Sequence, residues 1–266
     1  MRQRIISGIF IGLITLVACL FGGYFLMAVC LFIDIYSCIE VLNLRDYKQN
    51  SVALFIVLLL SNILLTFGNL FLSFDIQRAV IIIEPIILCL IAIINHNVDF
   101  EDVGLVYIFS IFVGLGSYYF IFFESISRYI FMYLVIISYL SDIFAYVIGS
   151  NFGKHQLNDR ISPKKSVEGF VGGWLITSLV SFGFAYLFNY FYFDPIFIAV
   201  CSFLLPLVSE TGDLIFSLVK RYYHAKDFSD LIPGHGGLLD RLDSLFITVL
   251  VFGAIVIFVV WKDYCY

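Results

Sequence analysis

The chain has 266 residues, 62% of them hydrophobic and 13% charged, with a formal net charge of −5 and a mean hydropathy of +1.02. A water-soluble domain of this length needs far more polar surface, so the composition excludes one and indicates an all-α, polytopic integral membrane protein. The six cysteines (Cys19, Cys30, Cys38, Cys89, Cys201 and Cys265) form no CxxC pair and the four histidines show no metal spacing, which argues against a disulfide framework or a zinc site.

At ~20 apolar residues per span, the sequence predicts about nine transmembrane helices. The first covers about 5–21 and is broken by Gly22-Gly23; the second, about 24–44, contains Asp34 and Glu40. Spans three and four cover about 51–68 and 79–95, the latter with Glu84-Pro85 inside it. Spans five and six cover about 103–123 and 129–149, followed by a long polar loop, 150–169. Spans seven, eight and nine cover about 170–191, 195–219 and 244–261. Basic residues precede the first run, but its length and the lack of a clean small-x-small site make it a span rather than a cleaved signal. The division by sequence is five N-terminal helices (1–127) and a C-terminal set of four with two polar loops (128–266), forming one integral membrane unit. Asp34 and Glu40 read as hydrogen-bonding groups between helices. Glu84 reads as a partner for backbone donors freed by Pro85. The 30 Phe and 17 Tyr read mainly as lipid-facing and interfacial residues.

With the N-terminus in the cytoplasm, twelve of the fifteen Lys and Arg lie on the inner side, leaving Arg78, Arg128 and Lys262 outside. Both polar loops then face the cytoplasm, where nucleoside triphosphates are.

Chemistry concentrates in two stretches. In the stretch 209–243, Asp213, Ser217, Lys220 and Arg221 share one helix face. A polar loop with Lys226 and Asp227 follows, then the turn Pro233-Gly234-His235-Gly236-Gly237, then Asp240, Arg241 and Asp243 at the start of the last span. Acids from two helices with basic residues between them suit a metal-bound phosphate. The second stretch, Ser141-Asp142-x-x-Ala145-Tyr146-x-x-Gly149, ends span six and places Asp142 two turns inside it, ~10 Å from the predicted helix end. An ionisable group at that depth is a functional-site candidate. The loop beyond it carries Asn151-Phe152-Gly153-Lys154 and Ser162-Pro163-Lys164-Lys165-Ser166-Val167-Glu168-Gly169, a set of cations, hydroxyls and glycines suited to a triphosphate.

The run Ser217-x-x-Lys220-Arg221-x4-Lys226-Asp227-x-Ser229-x-x-Ile232-Pro233-x-His235-Gly236-Gly237-Leu238-x-Asp240-Arg241-Leu242-Asp243 resembles the signature of the phosphatidate cytidylyltransferases, or CDP-diacylglycerol synthases. The Asp142 helix and the Ser162–Gly169 loop are similar to further motifs of that family, except that Ile143 stands where a small hydroxyl residue often follows the aspartate. The resemblance covers residues 142–243 by motif; the first five spans match only in hydropathy.

The resemblance implies transfer of CMP from CTP to phosphatidate, giving CDP-diacylglycerol and pyrophosphate in phospholipid biosynthesis. It implies Mg²⁺, with a second metal ion compatible, and Asp213 and Asp240 as first ligands, with Asp243 and Asp142 next. Lys220 and Arg221 are then assigned to the phosphates nearest the metal, and Lys164 and Lys165 to gathering CTP. Tyr146, Lys154, Ser162, Ser166, Glu168, Ser217, Lys226, Asp227, His235, Gly236, Gly237 and Arg241 complete the expected substrate-binding set. Expected partners are CTP, phosphatidate and membrane lipid, with no nucleic acid and with a homodimer compatible. The short N-terminus favours a bacterial plasma membrane. Two other readings stay open: a CTP-dependent kinase of a polyprenol or other lipid alcohol, and a transporter with intramembrane acids around a midplane site. The Asp-x-x-Asp-Gly-x-x-Ala-Arg pattern of the CDP-alcohol phosphotransferases is absent.

Overall fold

The computed structural model describes residues 2–44, 51–71, 75–188, 193–232 and 236–264. It is all-α apart from one small hairpin. Helices α1 (Arg2–Phe21), α2 (Gly23–Asn43), α3 (Ser51–Phe71) and α4 (Ile76–Ile94) are followed by α5 (Phe100–Ser110). A π-helical turn (Ile111–Leu115) joins α5 to α6 (Gly116–Ile126), so residues Phe100–Ile126 form one span. Then come α7 (Arg128–Phe152), strands β1 (Gln156–Asn158) and β2 (Ser162–Ser166), α8 (Val167–Phe188), α9 (Pro195–Tyr222) and α10 (Leu239–Tyr264). Among the described residues, eight helices are long and apolar enough to cross a membrane, and α1 adds a shorter apolar stretch, Ile11–Phe21.

Local signals set several boundaries. Gly22 adopts a left-handed φ of 54° between α1 and α2. Ser127 caps α7 by accepting from the Tyr129 amide, and Asp194 caps α9 by accepting from the Ile196 amide, with Pro195 at the first helical position. Helix α7 continues to Phe152, three residues past its predicted end, so Asp142 lies ten residues, or ~15 Å, from the helix terminus.

The chain forms two compact units: Met1–Phe122 with Asp227–Arg241, and Phe123–Lys226 with Leu242–Tyr266. In lipid, burying leucine gains little, because the surroundings are equally apolar; close packing and interhelical hydrogen bonds hold such helices together. In the first unit, Thr66 of α3 donates to the Gly114 carbonyl of the π turn at 3.1 Å. Ser110 donates to Glu84 at 2.7 Å, and Tyr107 donates to the Ile81 carbonyl at 3.2 Å. A Cβ on Gly114 would lie 2.8 Å from Leu65 Cβ and 3.2 Å from Asn62 Cα, so the π turn reaches α3 because residue 114 has no side chain.

The second unit uses the same device. A Cβ on Gly169 would lie 2.5 Å from the Ala145 carbonyl oxygen, and one on Gly173 would lie 2.8 Å from the Ala145 nitrogen. Helix α8 therefore meets α7 backbone to backbone, with small residues four apart on its contact face. Tyr133 and Ser202 share a 2.9 Å hydrogen bond between α7 and α9, and Trp174 donates to the Phe203 carbonyl at 2.8 Å between α8 and α9. Between α7 and α8, β1 and β2 pair antiparallel with Gln156 opposite Ser166. Asn158 turns the hairpin by accepting from the Arg160 and Ile161 amides, both at 3.1 Å. This hairpin lies within the stretch 150–169, which the sequence reading gave as a long polar loop.

Candidate active site

Strand β2 decides where the loop lysines go. Side chains alternate across a strand, and Lys164 is exposed while Lys165 points inward. The Lys165 Nζ lies 2.7 Å from Glu210 Oε2 and 2.7 Å from Asp213 Oδ2, both on α9. Burial works against this ammonium, but Asp213, Glu210 and Asp142 together hold its pKa above the usual lysine range. Glu210 is fully buried, and its other oxygen accepts from Ser141 at 3.2 Å. Asp213 Oδ1 accepts from Ser217, one turn further along α9, at 3.3 Å.

Helix α10 joins this cluster through a glycine. A Cβ on Gly212 would lie 3.0 Å from Ile247 Cβ and 3.2 Å from the Asp243 carbonyl oxygen, so α9 approaches α10 closely where Asp213 precedes the next turn. Asp213 and Asp243 are in side-chain contact, and Lys220 acts electrostatically on both. Asp243 Oδ1 accepts from the Ser244 amide at 2.8 Å, and Ser244 Oγ reaches Asp142 at 3.4 Å. Glu210 and Asp243 are buried, and Asp142 is the member of the cluster with the most exposed residue surface.

The other expected residues occupy distinct places. In the second unit, Ser166 caps α8 by accepting from the Gly169 amide at 3.1 Å. Glu168 accepts from the Lys154 and His155 amides and from the His155 ring, tying the start of the loop to the start of α8. Arg221 donates to the Ala225 carbonyl at 2.9 Å and the Ile161 carbonyl at 3.3 Å, joining the end of α9 to the hairpin turn. Ser162 begins β2; Tyr146, Lys154 and Lys226 are exposed.

Asp227, Gly236, Gly237, Asp240 and Arg241 belong to the first unit. There, Asp240 Oδ2 accepts from the Phe228 and Gly237 amides, both at 2.8 Å. Glu40 of α2 accepts from Ser229 Oγ at 2.6 Å, from the Leu238 amide at 2.7 Å and from the Leu239 amide at 2.8 Å. A carboxylate at the start of α10 also meets the positive end of the helix dipole. Gly236 has a left-handed φ of 82°, and a Cβ on Gly237 would lie 2.6 Å from Glu40 Oε1, so both glycines are required by the clamp. Asp227 and Arg241 are exposed, and His235 lies outside the described residues.

Sequence reasoning did not assign Glu210, Ser244 or the specific partners of Glu40 to this machinery. Glu210 was findable, since it lies one turn before Asp213 on the same helix face. Glu40 is 189 residues from Ser229, a pairing that only the folded chain displays.

The family model of the cytidylyltransferase family matches residues 2–259. The chain belongs to the cytidylyltransferase family. It is 30% identical over 251 residues to the phosphatidate cytidylyltransferase of Bacillus subtilis (strain 168), covering 92% of this chain and 93% of that relative. It is 32% identical over 246 residues to the phosphatidate cytidylyltransferase of Staphylococcus haemolyticus (strain JCSC1435), covering 92% and 94%. That of Staphylococcus aureus (strain COL) is 30% identical over 246 residues with the same coverage.

Cytidylyltransferase chemistry calls for a divalent cation, and the donor set fits one. Asp142, Asp213 and Asp243 offer carboxylate oxygens, the ligand type that hard divalent cations take. Among the described residues, no three His, Cys, Asp or Glu side chains form a ready cation cage.

Proposed function

We propose that the chain transfers CMP from CTP to phosphatidate, forming CDP-diacylglycerol and pyrophosphate at the cytoplasmic face of a bacterial plasma membrane. The observation that carries this reading is the Lys165 ammonium held between Glu210 and Asp213, with Asp142 and Asp243 beside them. Membership of the cytidylyltransferase family and the names of the relatives agree with it.

The lipid phosphate oxygen forms a bond to the α-phosphorus of CTP, and the bond from that phosphorus to the α,β-bridging oxygen breaks. Pyrophosphate leaves with the electron pair. Both reactants are anions, so the protein must supply fixed positive charge where it develops. Lys165 and Lys220 supply it here. The carboxylates hold Lys165 charged and oriented before the nucleotide arrives, which lowers the reorganisation needed during reaction. Asp213 and Asp243, with Asp142 beside them, would hold Mg²⁺, whose role when bound is to neutralise phosphate charge. Arg221 fixes the end of α9 against the hairpin that delivers Lys165. Glu40 and Asp240 fix the glycine segment at the start of α10. The lipid phosphate is itself the nucleophile, so no covalent enzyme intermediate is required.

The test uses purified protein in mixed micelles with Mg²⁺, CTP and phosphatidate. The expected products are CDP-diacylglycerol and pyrophosphate in equal amounts, with none when EDTA is present. Production of CDP and a phosphorylated lipid alcohol from polyprenol, with phosphatidate inert, would refute the proposal.

A further inference from the structure

The first unit contains a buried carboxylate that the reaction does not use. Asp34 of α2 is fully buried. Among the described residues, neither of its carboxyl oxygens has a hydrogen-bond partner, and it takes part in none of the ion pairs. The Thr66 and Ser117 hydroxyls lie beside the carboxyl and favour its charged form, without the geometry of a formed hydrogen bond. Two further orphans accompany it: Ser117 Oγ and Asn62 Oδ1, each buried and without a partner. Asn62 is anchored by its nitrogen, which donates to the Asp34 carbonyl at 3.3 Å and to Ser37 at 3.4 Å. Thr66 follows Asn62 by one turn on α3 and donates to the Gly114 carbonyl, in the π turn that Gly114 brings against α3.

This pattern points to a small guest. An ionised carboxylate with no partner is very costly inside a membrane span. A protonated one could give its O–H to a neighbouring hydroxyl, but its second oxygen and Asn62 Oδ1 would still lack donors. Three of the four orphan atoms, both Asp34 oxygens and Asn62 Oδ1, accept but cannot donate. A single water has two protons and cannot satisfy three such acceptors, and it leaves the charge unbalanced. A cation satisfies all of them. One carboxylate balances a single positive charge, and a divalent ion would keep an excess in a low-dielectric interior. Irregular helical turns at membrane depth commonly lend carbonyl oxygens to such ions.

We propose that the first unit binds a monovalent metal cation at Asp34, with Asn62 and Ser117 as neutral oxygen ligands and the Thr66–Gly114 pair completing the shell. The ion ties α2, α3 and α6 together from inside.

The test measures the thermal unfolding midpoint of the purified full-length protein in detergent, in lithium, sodium, potassium or choline chloride at equal ionic strength. The expected result is a saturable rise of about 2–4 °C in at least one alkali chloride over choline. The rise should vanish in Asp34→Asn and persist in Asp213→Asn, which alters only the acidic cluster of the second unit. Ser117→Ala should need a several-fold higher salt concentration for half of the rise. Equal midpoints in choline and all alkali chlorides would overturn the proposal, as would an undiminished rise in Asp34→Asn. Should Asp34→Asn fail to fold, Ser117→Ala decides: an unchanged half-saturating concentration overturns the site.

Discussion

Replacing Lys165 by methionine tests the organisation of the acidic cluster. Methionine keeps most of the side-chain volume and removes the charge. It leaves Glu210 fully buried and retaining the Ser141 donor, and leaves Asp213, a quarter exposed, without its closest cation. Removing one partner of a buried ion pair costs about 3–5 kcal/mol, because the remaining charge has no compensation. For a chain of this size that corresponds to a fall in Tm of roughly 10 °C. The double variant Lys165→Met with Glu210→Gln should recover most of the lost stability, since glutamine needs no counter-charge and can still accept from Ser141. It should not recover turnover. The pH dependence follows from the raised lysine pKa. A group whose folded pKa exceeds its unfolded value of about 10.4 contributes fully below that value and loses its contribution only as pH rises through the folded value. The stability gap between wild type and Lys165→Met should therefore persist up to about pH 9 and narrow only toward lower pH, where carboxylates left without Lys165 take up protons. Thermal unfolding in detergent at each pH is the assay. A Lys165→Met protein as stable as wild type, or a gap that closes between pH 7 and 9, would refute the reasoning.

Asp213→Asn and Asp243→Asn should each reduce Mg²⁺-dependent turnover by at least 100-fold while the protein keeps its elution volume and helical content; normal turnover in either removes that residue from the reaction. Glu40→Gln replaces one acceptor oxygen by a donor facing amide N–H groups, and should cost about 1–3 kcal/mol and increase cleavage by added protease between Ser229 and Leu238, with an unchanged cleavage pattern counting against the clamp. A cysteine at Gln156 should react with a membrane-impermeant thiol reagent only from the cytoplasmic side, and one at Asp75 only from outside, over a background in which Cys19, Cys30, Cys38 and Cys201 are buried. Labelling of both from one side would reverse the orientation.

Most span positions were legible because each is a long apolar run, and length alone identifies such helices. The ends were less so: α7 runs on through Ser150-Asn151, whose side chains both hydrogen-bond back to the Val147 carbonyl instead of stopping the helix. In the site, Asp213, Ser217 and Lys220 could be grouped from helical spacing within one element. Lys165 could not be placed, because two adjacent lysines in a loop look alike until strand β2 sends one out and one in. The sequence reading gave both to nucleotide capture; Lys165 sits among the acids of α9, while Lys164 is exposed. Arg221, assigned to phosphates, spends two of its donors on backbone carbonyls at the end of its own helix and in the hairpin turn. Such contacts leave no compositional trace.

The glycine contact between α7 and α8 bears on how far the loop between them can be altered. With Gly169 and Gly173 against the backbone of Ala145, α8 has no side-chain layer over which to rotate or slide along α7. Both feet of the β1–β2 hairpin are thereby clamped at a fixed separation, and Lys165 stands on the strand immediately preceding one of them. The reach of its ammonium is measured from the helix crossing and not from the hairpin tip. A single methyl group at residue 169 or 173 would accordingly force the crossing with Ala145 to shift, and the strand that carries the ammonium with it.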